Sequence, residues 1–182
     1  MKDFGGDSLD VALTLNCIGD VLLREGRRDQ ALEQHKRALD IQLKKVGEKH
    51  LNTANTYKYI GIALLKQNDD EKAEETLRKA LDIMDDLPAK SSDLMDVSQH
   101  LSGALQFQGK FSEAIKIQKA VLSKLLQSHG EDYPEVAVAY AGIAGMLADQ
   151  NRFDDALQML DKSIQVCYRL KGQGPCIKGI LA

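Results

Sequence analysis

The sequence predicts an all-α protein, a right-handed α-solenoid of four antiparallel helix pairs. The first observation is an internal repeat, because alanines recur every 41 or 42 residues, at Ala31, Ala73, Ala114 and Ala156. Periods of roughly 20–50 residues are typical of stacked repeat arrays. The second is composition, since aromatic residues make up only 5% of the chain and Trp is absent, which disfavours an all-β domain. The third is that three prolines leave long stretches of helix-forming residues uninterrupted.

The repeat divides the chain into four units, each interpreted as two amphipathic helices. In the first helix of the first unit, Leu15, Ile18, Gly19 and Leu22 follow the i, i+3, i+4, i+7 spacing of a buried helix stripe. We expect residues 1–182 to form a single array, ending in a tail or in the start of a truncated fifth unit. The predicted repeats are about 8–47, 50–87, 91–130 and 133–171, and the tail is 172–182.

A short turn is predicted at the same place in every unit. Gly or Asn leads each turn, and both residues tolerate the left-handed backbone conformation that ends a helix. Acidic residues then open the second helix, where they complement the positive end of the helix dipole. The turns begin at Gly26, Asn68, Gly109 and Asn151, and the acidic residues are Asp29, Asp70, Glu71, Glu113, Asp154 and Asp155.

A small residue lies twelve positions before each repeated alanine. We expect the paired helices to approach closely there, since a larger side chain would force them apart, and overpacking costs about 1–3 kcal/mol. These small residues are Gly19, Gly61, Ser102 and Ala144.

The charge balance and hydropathy exclude two classes of partner. Lys and Arg number 24 against 27 Asp and Glu, which gives a net charge of −3, and neither half of the chain is basic, so we expect no nucleic-acid partner. No apolar run approaches the roughly 20 residues of a membrane span. The polar segment from Met1 to Asp10 is unlike a signal peptide. We therefore expect no membrane partner and a cytoplasmic location.

The three cysteines, Cys17, Cys167 and Cys176, are widely spaced and odd in number. This pattern is neither a disulfide framework nor a metal-binding knuckle. We expect reduced, mostly buried thiols, because free Cys is often a core residue.

The repeat pattern resembles the tetratricopeptide repeat. The pattern is a small residue, an Ala twelve positions later and another small residue seven positions after that. The 42-residue period resembles the kinesin-light-chain and nephrocystin variant, which has longer helices. Residues 12–19 resemble the first-helix signature of that variant, and residues 130–137 resemble its inter-repeat linker. The resemblance covers about residues 8–171 and implies a helical array that binds protein ligands.

In such an array the first helices line a concave groove, and the positions opposite their buried stripe would face a ligand. The central positions mix amide, charged and aromatic groups, which can hydrogen-bond a peptide backbone or pair with acidic side chains. The alternative is an ordinary solvated helix face. The candidate partner-binding residues are Asn16, Asp20, Asn55, Lys58, Tyr59, Ile62, Lys66, Gln99, His100 and Phe107.

Two details refine the expected groove. Asn16, Asn55 and Lys58 resemble the amide and basic residues with which this family holds extended peptides, and we expect Lys58 and Lys66 to select an acidic ligand. Three glycines within first helices, Gly103, Gly142 and Gly145, indicate either the close approach of another chain, tight packing within the array, or simple drift.

Catalytic chemistry is poorly supported. Asp96 and His100 share a helix face at i, i+4, but zinc needs at least a third protein ligand, and none is obvious. Ser98 points about 160° away from His100 around the helix, so the two are not a nucleophile pair. We predict no catalytic residue, no metal and no cofactor.

The predicted function is therefore a non-enzymatic scaffold that binds a partner peptide or helix in the groove. Tyr59, Ile62 and Phe107 would supply apolar anchors. One alternative is a structural self-association module, in which the C-terminal end stacks on another copy to form a homo-oligomer. Another is a regulatory segment of a larger multidomain protein.

Overall fold

The computed structural model describes residues 8–87 and 90–170, and they form eight helices and no strand. The all-α class and the four antiparallel helix pairs are confirmed. The chain divides into two compact units, Met1–Ala89 and Lys90–Ala182. The expectation of a single array over 1–182 stays a prediction, and the tail, Pro88 and Cys176 lie outside the described residues.

The first unit contains two helix pairs. α1 packs against α2 and α3 against α4, and α2 also packs against α3. Its helices are α1 (Leu9–Arg24), α2 (Arg28–Lys45), α3 (Leu51–Lys66) and α4 (Asp70–Asp86).

The second unit repeats this plan. α5 packs against α6 and α7 against α8, with α6 against α7 as the link between the pairs. Its helices are α5 (Ser91–Phe107), α6 (Phe111–His129), α7 (Pro134–Asp149) and α8 (Phe153–Arg169).

The turn within every helix pair adopts the predicted conformation. The backbone φ angle is +79° at Gly26, +61° at Asn68, +74° at Gly109 and +58° at Asn151. This left-handed region favours Gly and is tolerated by Asn. Acidic residues occupy the first turn of each following helix, as predicted. The first helix of each of the four pairs is therefore followed by a Gly or Asn with a positive φ angle.

The small residues and repeated alanines lie at close helix contacts. Ala31, Ala73 and Ala114 are fully buried. A Cβ atom placed on Gly61 would lie 2.5 Å from Cγ of Leu77 in α4, and one placed on Gly19 would overlap the imidazole of His35 in α2. Contacts this short require the partner side chain or its helix to move, so these glycines allow the two helices to approach closely.

In the α5–α6 pair, a polar contact takes the place of the glycine contacts found in the first unit. Ser102 stands where Gly61 stands in the first unit, and Nε2 of Gln118 donates hydrogen bonds to Oγ of Ser102 at 3.1 Å and of Ser98 at 3.4 Å. All three side chains are buried. This buried contact accounts for the two serines, Ser98 and Ser102, on the buried side of α5.

Two predictions about individual side chains are wrong. Ile18, expected in the buried stripe of α1, is 43% exposed, because no described helix packs against that side of α1. The cysteines are not mostly buried thiols either, since Cys17 is exposed and free and Cys167 is disulfide-bonded. Disulfide formation depends on three-dimensional proximity, which cysteine spacing alone does not reveal.

No helix within residues 8–87 and 90–170 combines the length and the apolar character needed to cross a membrane.

Candidate functional site

Several predicted site residues of the first unit meet in one polar cluster, which we call the α1–α3 cluster. It consists of Asn16 and Asp20 on α1, His35 on α2, and Thr56, Lys58 and Tyr59 on α3. The side-chain Nδ2 of Asn16 donates to Oγ1 of Thr56 at 2.7 Å, and its Oδ1 lies 3.1 Å from Nδ1 of His35. Asn16 therefore connects three helices through one side chain.

The hydrogen bonds of Asn16 assign the proton on the His35 ring. An amide oxygen can only accept, so Nδ1 of His35 carries the hydrogen and Nε2 is the bare nitrogen. That Nε2 is buried without a hydrogen-bond partner, 4.0 Å from Oδ1 of Asp20. Burial lowers the pKa of His35 from 6.5 to about 4, so the ring is neutral at pH 7 and does not form an ion pair there.

Asp20, Lys58 and Tyr59 form the outer part of the cluster. Partial burial raises the pKa of Asp20, while the positive charges of Arg24 and Lys58 act in the opposite direction. Nζ of Lys58 lies 5.2 Å from the centroid of the Tyr59 ring, and that ring stacks on His35 at 5.5 Å with an interplanar angle of 13°. The ammonium group thus lies over an aromatic face and close enough to Asp20 to lower the pKa of its carboxyl.

The ten predicted partner-binding residues differ in their access to solvent. Asn16 and Lys58 are buried, because α1 and α3 pack against each other on the side that was expected to be open. Lys66 is exposed at the last turn of α3, and Asp20, Asn55, Tyr59 and Ile62 are half-buried. In the first unit, then, Lys66 is the predicted cation that solvent reaches most freely.

The remaining three predicted residues lie on α5 in the second unit. Gln99 is exposed, His100 is half-buried with its Nε2 3.4 Å from Oδ1 of Asp96, and Phe107 is 80% exposed. A single exposed apolar side chain is common on protein surfaces, so the role of Phe107 as an anchor for a ligand stays a prediction.

Sequence reasoning missed two members of the α1–α3 cluster, His35 and Thr56. A signal was available for His35, because it stands 42 residues before Leu77, a fully buried apolar residue at the same repeat position. A polar residue at a core position of a repeat indicates a buried hydrogen-bonded contact. Thr56 gave no comparable signal.

The three glycines that lie within first helices of the second unit have open space around them. A Cβ atom added to Gly103, Gly142 or Gly145 would meet no atom within 4 Å. Tight packing within the described residues is therefore not the reason for these glycines.

A surface cleft of about 790 Å³ lies elsewhere in the first unit, at the α1–α2 turn. It is lined by Arg27, Asp29 and Gln67, among others, and Nε2 of Gln67 donates to Oδ1 of Asp29 at 2.9 Å. None of the ten predicted residues lines it.

No group of three or more His, Cys, Asp or Glu side chains within the described ranges is arranged to hold a metal ion. Asp96 and His100 are adjacent, as their spacing predicted, with Nε2 of His100 3.4 Å from Oδ1 of Asp96 on the surface of α5.

The sequence profile of the tetratricopeptide repeat matches residues 10–86 and 94–169, most of the chain and all four helix pairs. The chain belongs to the tetratricopeptide repeat family. Repeats of this family are in general protein-interaction scaffolds rather than enzymes. No curated protein matches the chain at a significant level.

Solved structures share the tetratricopeptide repeat fold at low sequence identity. BtubC (BKLC) from P. vanneervenii aligns with a TM-score of 0.78 and 17% identity over 92% of this chain and 68% of its own. A putative kinesin light chain from Podosopora anserina with nearly identical TPR-like repeats aligns with a TM-score of 0.80 and 14% identity, over 94% of this chain and 82% of its own.

A third similar structure contains a bound factor. It is a Rap protein complexed with competence and sporulation factor, with a TM-score of 0.72 and 16% identity, over 90% of this chain and 44% of its own. These likenesses establish the fold.

Proposed function

We propose that the chain is a non-enzymatic scaffold that binds a peptide or helix of a partner protein on the faces of its first helices. In the first unit the ligand would lie along α1 and α3, against Asp20, Asn55, Tyr59, Ile62 and Lys66. In the second unit it would lie along α5, against Gln99, His100 and Phe107. The observation that supports this proposal most directly is the α1–α3 cluster, in which buried hydrogen bonds hold polar and aromatic groups in fixed positions.

Preorganised side chains favour binding because little conformational entropy is lost when the ligand arrives. Asn16 and His35 form the base of the cluster, so Tyr59 is fixed by stacking before any ligand is present. We assign Asn16 a positioning role, since its amide groups are already engaged with Thr56 and His35.

The ligand is proposed to be acidic, and the exposed Lys66 is the residue that would recognise it first. Lys58 would contribute from within the cluster, where Asp20 offsets part of its charge. The location is proposed to be cytoplasmic, as expected from the sequence.

The test is binding of a peptide library that contains acidic and neutral 12-residue peptides. Replacement of both Lys58 and Lys66 by Glu should raise the dissociation constant for acidic peptides by at least about tenfold, roughly 1.4 kcal/mol. The affinity for neutral peptides should change less. Lys66→Glu alone is included because Lys58 is buried and its replacement can perturb the fold.

The matched control replaces two exposed lysines of second helices, Lys44 and Lys119, by Glu. This variant has the same net charge as the double variant and should bind like the wild type. Equal affinity of all variants for acidic peptides would remove Lys58 and Lys66 from the site.

A further inference from the structure

A pocket of about 180 Å³ lies between α7 and α8 in the second unit, and none of the ten predicted partner-binding residues lines it. The ring of Tyr140 on α7 is half-buried, and Nζ of Lys162 on α8 lies 5.7 Å from its centroid. We call this site the α7–α8 pocket. It is lined by Glu131, Tyr140, Lys162, Gln165, Val166 and Arg169.

The first unit has a tyrosine and a lysine at the equivalent positions, and there each has a carboxylate partner. Equivalent positions of the two units are 83 residues apart, as are the second and fourth repeated alanines. The hydroxyl of Tyr57 donates to Oε1 of Glu48 at 3.5 Å. Nζ of Lys79 donates to Oε1 of Glu75 at 2.8 Å, and this hydrogen bond raises the pKa of Lys79.

The lysine of the second unit lacks this carboxylate. Gln158 occupies the position of Glu75, one helical turn before Lys162. Within residues 8–87 and 90–170, Lys162 forms no ion pair, and its ammonium group contacts the ring of Tyr140. The α7–α8 pocket therefore contains a cation whose charge no side chain of the described ranges pairs with.

The tyrosine of the second unit lacks its acceptor as well. Glu131, the equivalent of Glu48, instead accepts a hydrogen bond from Nη2 of Arg169 at 3.2 Å. Arg169 stands where the first unit has Asp86, so an exchange of charge at this position supplies the cation that binds the glutamate. No group in the described part of the chain accepts a hydrogen bond from the hydroxyl of Tyr140.

We propose that the α7–α8 pocket binds a carboxylate group of a ligand, which takes the place of the missing glutamate. Nζ of Lys162 pairs with this carboxylate and the hydroxyl of Tyr140 donates to it, since hydrogen bonds to charged acceptors are the stronger ones. Arg169 forms a wall of the site, because Glu131 and Asp132 already offset its charge.

The pocket admits only a small group, so the occupant is a free dicarboxylate or one acidic side chain of a peptide. The replacement of Glu75 by Gln158 removes one negative charge. One carboxylate restores that charge, whereas a phosphate group carries nearly two. We therefore expect the pocket to bind a carboxylate in preference to phosphate.

The test titrates the full 182-residue chain with sodium succinate, followed by two-dimensional NMR of amide and lysine side-chain signals. Signals of Tyr140 and of residues 162–169 should shift until they saturate. The dissociation constant should be millimolar, because exposed ion pairs are weak. Sodium chloride at the same ionic strength should not produce these shifts, and sodium phosphate should bind more weakly than succinate.

A second titration identifies the source of the carboxylate. It uses the tripeptide Gly-Glu-Gly with both ends blocked, which carries one side-chain carboxylate. Tighter binding of the tripeptide than of succinate assigns the pocket to a peptide ligand, and the reverse order assigns it to a free dicarboxylate.

The decisive variant is Gln158→Glu, which rebuilds within α8 the ion pair that Glu75 and Lys79 form in the first unit. The new carboxylate occupies Lys162, so the dissociation constant for succinate should rise at least about threefold. The matched control is Gln127→Glu, which adds the same charge at an exposed position of α6 and should bind succinate like the wild type. Both replaced side chains are exposed, and circular dichroism checks that the variants are folded.

Three results would overturn the proposal. The first is the absence of saturable shifts at the pocket with either carboxylate probe up to about 50 mM, whether or not phosphate binds. The second is an equal response to sodium chloride, because ionic strength alone then explains the shifts. The third is a Gln158→Glu variant that binds succinate as tightly as the Gln127→Glu control.

Discussion

At the scale of single residues, the feature with the largest consequence is His35, a neutral imidazole at the centre of the first unit. Its ring fills the space above Gly19, donates to Asn16 and stacks on Tyr59. The equivalent position of the next helix pair holds Leu77. The chain therefore uses an ionisable group at a core position, and this makes its stability depend on pH.

The stability of the folded state should fall as the pH drops from about 6.5 towards 4. The pKa of His35 is 6.5 in its ordinary state and about 4 in the folded protein. Between these values the unfolded chain binds more protons than the folded one, so the free energy of unfolding rises with pH in this window. The full difference corresponds to about 3 kcal/mol.

Urea unfolding at a series of pH values from about 7.5 to 4.5 measures this effect. The reference variant is His35→Leu, which copies the side chain of Leu77 and cannot titrate. The difference in unfolding free energy between wild type and variant should change with pH, even if the variant is less stable throughout because Asn16 loses a partner. A difference that is the same at every pH would contradict the assignment of a buried neutral His35.

At the scale of helices, the spacing of the two pairs in the first unit is set by a glycine opposite a large side chain. The contact between Gly61 on α3 and Leu77 on α4 is the clearest case, since Leu77 is fully buried and a Cβ on Gly61 would lie 2.5 Å from its Cγ. In contrast, Gly142 on α7 is exposed and faces open space. Two glycines in helix interiors thus have opposite packing environments.

Gly61→Leu should lower the melting temperature by several degrees, because it forces α3 and α4 apart. Overpacking costs about 1–3 kcal/mol, and each kcal/mol shifts the melting temperature of a chain of this size by roughly 2–4 °C. The same substitution at Gly142 should leave the melting temperature unchanged or raise it, since Gly is a poor helix former. Scanning calorimetry measures the melting temperatures of the two variants. Equal melting temperatures would contradict the close contact between α3 and α4 at Gly61.

At the scale of the whole molecule, each of the two compact units should have its own free energy of unfolding. The helices pack mainly against their neighbours in sequence, and the stability of such arrays is approximately a sum of repeat and nearest-neighbour terms. Damage in one unit should therefore remain largely within it.

Amide hydrogen exchange of Gly61→Leu, followed by mass spectrometry, measures this distribution. Exchange should accelerate within residues 8–87 and change less within residues 90–170. Equal acceleration in both ranges would show that the chain opens as one cooperative unit.

The sequence alone determined the helix pairs, the turns between them and the close contacts. These features repeat in sequence because they depend on local chemistry: a positive φ angle favours Gly or Asn, and a close helix contact requires a small side chain. The left-handed turns at Asn68 and Asn151 and the contact at Gly61 could be predicted for this reason.

The tertiary structure decided which predicted site residues are open to solvent. Asn16 and Lys58 lie on the expected face of their helices but are buried, Ile18 lies on the expected buried stripe but is exposed, and Cys167 is disulfide-bonded. Burial depends on the neighbour that a side chain meets, and equivalent positions of a repeat meet different neighbours in different helix pairs. Helical periodicity fixes the direction in which a side chain points, and only the packing of other helices fixes what it meets there.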